Sequence, residues 1–137
     1  MAQPSVATLK GVPLFADLDD ASAEQLAKDF IVRDFQPGTE IATEGAGGLN
    51  FFIVGEGDAV VTIGGREVAR LGPGDAFGEV ALIDKDARSA TVSATTHVRA
   101  FALPIWSFRS FVESRPAVLW KLCEILADRL RAAEARR

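Results

Sequence analysis

Between residues 31 and 103 the chain breaks into short apolar runs closed by glycine-rich punctuation, and that spacing constrains its fold more than any other feature. The runs are 31–35, 39–43, 50–54, 59–63, 66–71, 90–94 and 97–103, with turn signals at 36–38, 45–48, 55–57, 64–65 and 72–74. Regular short strands of this kind build a sandwich or a barrel. Gly64-Gly65 is the sharpest local signal, because a two-residue hairpin loop needs residues that tolerate positive φ; it predicts that 59–63 pairs with 66–71.

The flanks have a different period. Residues 9–15 are apolar and compact, and Asp19 or Asp20 can cap a helix whose apolar positions include Leu26, Ala27 and Phe30. After Pro104 the helical pattern returns. Trp106, Phe108 and Phe111 mark a short helix, and Pro116 opens a longer one with Leu119, Leu122, Cys123, Leu126 and Leu130 on an apolar stripe. The expected order is a helical segment over 6–30, strands over 31–103 and two helices over 104–137. With 137 residues and 48% hydrophobic composition, this is expected to be a single domain, 1–137, with its own core.

Composition narrows the function. The net charge of −4 argues against nucleic acid as a partner, and any anion affinity must be built locally. No apolar run reaches the length of a membrane span, and Met1-Ala2-Gln3-Pro4-Ser5 lacks the basic start of a secretion signal; a cytoplasmic protein without membrane contact is expected. Cys123 is the only cysteine, so it has no internal disulfide partner, and its place in the helical pattern predicts a small buried residue. His97 is the only histidine. A metal site built from one histidine is improbable, and His97 reads more simply as a turn or strand-start residue. No nucleophile stands beside a second candidate base, so no catalysis is expected.

One segment carries chemistry. Residues 77–92 read Phe-Gly-Glu-Val-Ala-Leu-Ile-Asp-Lys-Asp-Ala-Arg-Ser-Ala-Thr-Val. Gly78 lets backbone approach a ligand closely, Glu79 offers a carboxylate to hydroxyl donors, and Arg88 supplies a fixed cation. The run 80–83 can form one helical turn whose free N–H groups face an anion. A ligand carrying both hydroxyl and phosphate satisfies Glu79 and Arg88 together, which suggests a nucleotide sugar. An ordinary surface ion pair would explain an isolated Glu and Arg, but not this spacing with Gly78, Ala90 and Val92.

The segment resembles the phosphate-binding cassette of cyclic nucleotide-binding domains, which reads Phe-Gly-Glu-aliphatic-Ala-Leu, a variable tip, then Arg-x-Ala-x-Val. The tip, Asp84-Lys85-Asp86-Ala87, lacks the Gly or Pro common there. Further marks of the family are Pro37-Gly38, Glu44-Gly45, the Phe52-Ile53-Val54 run before Gly57, and Gly74 ahead of Phe77. The resemblance covers nearly the whole chain. It implies an α+β fold, an eight-stranded-type antiparallel β-roll, jelly-roll-like, with an N-terminal helical segment and two C-terminal helices. It also implies that Glu79 holds the ribose 2′-hydroxyl and Arg88 the cyclic phosphate, with Gly78, Val80, Ala81, Ser89 and Ala90 around them.

The base needs an apolar wall. Period-two alternation puts Val61, Ala69 and Leu71 on one face of the Gly64-Gly65 hairpin, and the resemblance sets that face beside the cassette. They could equally be core. In this family the last helix acts as a lid, which nominates Leu122, Leu126 or Leu130 over the base, whereas plain packing on the roll or on a second copy explains the same stripe. The expected function is a regulatory sensor of cAMP, with cGMP as the alternative ligand and no cofactor, that converts occupancy into movement of the C-terminal helices, with Phe108, Phe111 and Leu119 as an apolar hinge. The alternatives are a non-sensing interaction module, a homodimer built on the last helix, or the regulatory piece of a larger effector.

Overall fold

The computed structural model describes residues 3–42, 50–78 and 90–135. Two four-stranded antiparallel sheets face each other. The strands are β1 (Ile31–Phe35), β2 (Glu40–Ala42), β3 (Asn50–Glu56), β4 (Ala59–Ile63), β5 (Arg66–Leu71), β6 (Ala76–Phe77), β7 (Thr91–Ala94) and β8 (Val98–Pro104). One sheet runs β1-β8-β3-β6 and the other β2-β7-β4-β5. Four α-helices flank them among the described residues: α1 (Val6–Lys10), α2 (Asp20–Ala27), α3 (Ile105–Glu113) and α4 (Pro116–Ala135). This is the expected α+β β-roll.

Local chemistry explains the element ends. Asp19 is the residue that caps α2: its carboxylate accepts the Ser22 backbone N–H at 2.8 Å, one of the donors a helix start leaves unpaired. Gly64 and Gly65 take φ of 58° and 80°, the two positive values of the tight hairpin turn, and they bring Ile63 opposite Arg66. Pro116 opens α4, where a missing N–H costs nothing. Between α1 and α2 the chain adds a short 3-10 helix, Pro13–Phe15.

The central strands β3 and β8 of the first sheet are buried on both faces, which is why β3 is apolar without interruption from Phe51 to Val54. Alternation sends Phe51 and Ile53 to the helices and Phe52 and Val54 to the space between the sheets. The helical cluster joins them to Leu9, Phe15, Leu26, Leu103 and Phe108, with the Phe51 and Phe108 rings stacked at 5.4 Å. The inter-sheet cluster contains Val92, Val98 and Ala100, with Phe52 stacked on Phe77 at 5.0 Å. Aromatic pairs at these separations add to the stabilisation from area burial.

Several details differ from the expectation. Helix α2 ends at Ala27, so Phe30 lies beyond it, still buried in the helical cluster, and β8 runs Val98–Pro104 rather than 97–103. Strand β6 was not foreseen, since two residues are too few to show a period. Strand β3 extends to Glu56 rather than stopping at Val54. Cys123 is exposed, not buried. Helix α4 packs on the core through Val118, Leu122 and Ile125, spaced i, i+4, i+7, and Cys123 lies on the neighbouring arc with exposed Leu119 and Leu130.

Candidate cyclic nucleotide site

Strand β6 ends at Phe77, last in the order of the first sheet, and β7 begins at Thr91 inside the second. The two limbs of the 77–92 motif are therefore held by different sheets. On the incoming limb Phe77 pairs with Phe52 and is buried, and Gly78 follows with φ of 104°, a conformation in which a Cβ would be strained. On the outgoing limb Ala90 is partly buried and leads into β7, where buried Val92 lies opposite both Val61 of β4 and Ala42 of β2. Glu79, Val80, Ala81, Arg88 and Ser89 lie outside the described residues, as does the Glu44-Gly45 mark.

The base-wall candidates divide into two places. Val61 pairs with Ala69 and Ala59 with Leu71, so Val61, Ala69 and Leu71 share one face of the β4–β5 hairpin. Val61 and Leu71 are partly buried against the inter-sheet cluster, while Ala69 is exposed on β5, last in the order of its sheet. Leu122 and Leu126 sit elsewhere. Leu122 is 3% exposed and belongs to the helical cluster, with Leu126 packed against it. Leu122 and Ile125 also line a cavity of about 560 Å³ together with Val12, Leu14, Phe51 and Ala76. The structure brings the hairpin candidates to the outgoing limb of the motif and docks the helix candidates on the other side of the first sheet.

An exposed ion pair accompanies the apolar packing of helix α4. Its Lys121 ammonium lies 3.8 Å from the Asp17 carboxylate, and α3 joins α4 through only Ser114 and Arg115. Of the hinge candidates, Phe108 is buried, Phe111 is packed at the edge of the helical cluster, and Leu119 is 45% exposed. His97 directly precedes β8, as a strand-start residue should. Its Nε2 lies 3.3 Å from the Asp34 carboxylate, which also accepts from Arg99 Nε at 3.1 Å. An exposed cluster of this kind contributes little to stability.

Sequence reasoning did not identify Phe77 as a core aromatic as well as a motif residue. The signal was Ala76-Phe77 directly after the Gly72-Pro73-Gly74 turn, where a short strand can rejoin a sheet.

The sequence profile of the family described as "Cyclic nucleotide-binding domain" matches residues 32–115. The chain belongs to that family. It is 41% identical over 97 residues to a cAMP-dependent protein kinase regulatory subunit of Yarrowia lipolytica, covering 69% of this chain and 26% of that protein. It is 42% identical over 86 residues to a cGMP-dependent protein kinase of Toxoplasma gondii, covering 63% of this chain and 9% of that one. The crystal structure of Thermus thermophilus catabolite activator protein superposes with a TM-score of 0.81 at 31% identity, covering 90% of this chain and 61% of that one. The chain thus spans at most about a quarter of those two kinase relatives. No described helix is long and apolar enough to cross a membrane.

Proposed function

We propose that this cyclic nucleotide-binding domain is a sensor without catalysis of its own that takes a 3′,5′-cyclic purine nucleotide, cAMP in preference to cGMP. The observation that carries the reading is the attachment of the 77–92 motif, with Gly78 leaving one sheet and Val92 seated beside Val61 in the other. Glu79 accepts the ribose 2′-hydroxyl, Arg88 binds the exocyclic oxygens, and Gly78, Val80, Ala81, Ser89 and Ala90 line the phosphate. Val61, Ala69 and Leu71 form the base wall, with no evident guanine-specific acceptor among them.

Leu122 or Leu126 completes the site only when α4 leaves its present seat. Removing a leucine of this kind from its apolar contacts costs about 1.5–3 kcal/mol. The ligand must offset that cost through tighter binding to the closed state, which makes occupancy and helix position one equilibrium. The signal then passes to an effector protein or domain, and a second-messenger ligand implies a cytoplasmic setting.

Competition of a fluorescent cAMP analogue by cAMP and cGMP tests the base preference. The expected difference is about 1 kcal/mol in favour of cAMP, the worth of one hydrogen bond. A cGMP affinity more than tenfold tighter than that of cAMP overturns the assignment, and a Ser89→Ala variant that loses only cGMP affinity identifies the hydroxyl responsible.

A second reading, dimerisation through α4, is favoured by exposed Leu119, Trp120 and Leu130 on that helix. Sedimentation of the chain and of Leu130→Asp separates the two: a dimer lost in the variant supports it, and a monomer at every concentration rejects it.

A further inference from the structure

We propose that Arg66 is a second cation of the nucleotide site, turned toward the ligand by a β-bulge in β5, and that it speeds capture of the anionic nucleotide. The inference rests on the nucleotide-binding reading above and adds a residue to it.

The register of the β4–β5 hairpin shifts by one residue near its tip. Val61 lies opposite Ala69, and an uninterrupted ladder would then set Ile63 opposite Glu67. Instead Thr62 faces Glu67 and Ile63 faces Arg66, with Val68 as the extra residue of a bulge. Side chains alternate along a strand, so Ile63 points to the same face as Val61, and Arg66 opposite it shares that face with Ala69 and Leu71. The bulge thus puts a guanidinium, in place of a carboxylate, on the face that forms the base wall.

Glu67 reports the same turn independently. Arg70 lies opposite Val60, on the reverse face of the hairpin, and its Nε is 2.8 Å from the Glu67 carboxylate. Residues three apart on a regular strand project to opposite faces, and the extra residue brings these two to the same one. Glu67 is paired there, away from the wall. The Arg66 guanidinium is exposed and has no ion pair, hydrogen bond or ring contact among the described residues.

The tip also lies beside the motif. Thr62 is opposite Thr91, so the strand end carrying Ile63 reaches the level of Ala90 in the phosphate-lining set. Only β4 separates β5 from β7, which sets Arg66 two strand spacings, about 10 Å, from the outgoing limb. Over that distance a guanidinium attracts a cyclic phosphate monoanion in dilute salt and is screened from it in concentrated salt. The net charge of −4 gives the chain no overall attraction for an anion, so a local unpaired cation counts most while the ligand approaches.

Stopped-flow binding of a fluorescent cAMP analogue to the full chain, in about 0.01 M and about 1 M salt, reads association and dissociation rates separately. Arg66→Gln should slow association at least about twofold in the dilute salt, with a smaller change in dissociation, and should match the parent in the concentrated salt. Arg70→Gln makes the same charge change on the reverse face and should slow association less. The exchange of Arg66→Glu with Glu67→Arg keeps the net charge and should slow association more than Arg66→Gln does. Circular dichroism of each variant checks that the fold survives. Equal slowing in Arg66→Gln and Arg70→Gln overturns the proposal, as does an exchange variant as fast as the parent. A parent that binds while Arg66→Gln is unchanged in dilute salt sinks this inference alone, whereas a parent that binds no cyclic nucleotide sinks it together with the nucleotide reading.

Discussion

Arg88 is the residue on which nucleotide affinity should turn. Replacing it with alanine removes a charge-assisted contact worth on the order of 1.5–3 kcal/mol, so affinity should fall roughly 10- to 150-fold while the fold survives. Arg88→Lys should not restore it, since a point charge cannot reproduce the two-pronged grip of the guanidinium. Titration of both variants with cAMP, alongside circular dichroism, checks this; unchanged affinity in Arg88→Ala places the ligand elsewhere. Asp19 gives a second test. The Ser22 side chain and backbone N–H hold its carboxyl below the ordinary carboxylate range. A lowered folded-state value stabilises the protein above the unfolded value, and that stability is lost as pH falls through the folded one. Asp19→Ala should therefore be less stable than the parent at neutral pH, and the gap should close below the carboxylate range. Denaturant midpoints measured across that window would show it.

Helix α4 makes the corresponding case for an element. Leu122 anchors it in the helical cluster against neighbours that include Leu14 and Phe51. Leu122→Ala should cost about 2–5 kcal/mol of unfolding free energy, the usual range for a buried leucine that leaves a cavity. Leu130→Ala, on the exposed arc, should cost far less in the monomer. Chemical denaturation of the two variants distinguishes the packed face from the free one, and equal losses would contradict the seat described for α4. The same helix shows how far sequence reading reaches. Its extent was legible, because Pro116 and the leucine spacing are local signals. The face it buries was not: Leu119, Leu122, Cys123, Leu126 and Leu130 form a broad stripe, and only the docking of the helix on the 3-10 turn selects Leu122 and leaves Cys123 outside. The hairpin at Gly64-Gly65 was legible for the same reason as Pro116. Strand β6 was not, since its two residues owe their conformation to pairing with Phe52 and Ile53.

Across the whole molecule, the first sheet separates two apolar clusters that serve different purposes. Ladder pairing fixes β4 against β7, and the inter-sheet cluster packs Val61 and Leu71 of the hairpin wall beside the motif, while the helical cluster holds α4 away from that wall. Family membership and the β-roll were both readable from the motif and the strand spacing, because each depends on residues close in sequence. The separation of the lid candidates from the wall candidates was not, since it depends on which side of the sheet the last helix packs. Ligand that binds the closed state alone must stabilise the fold by mass action, by about 2.7 kcal/mol at a hundredfold excess over Kd. The most direct test is calorimetric titration of the purified chain with cAMP, accompanied by its thermal unfolding. The account predicts saturable one-to-one heat and a raised unfolding temperature, both lost in Arg88→Ala. No heat and no thermal shift with either cAMP or cGMP at millimolar concentration would contradict it.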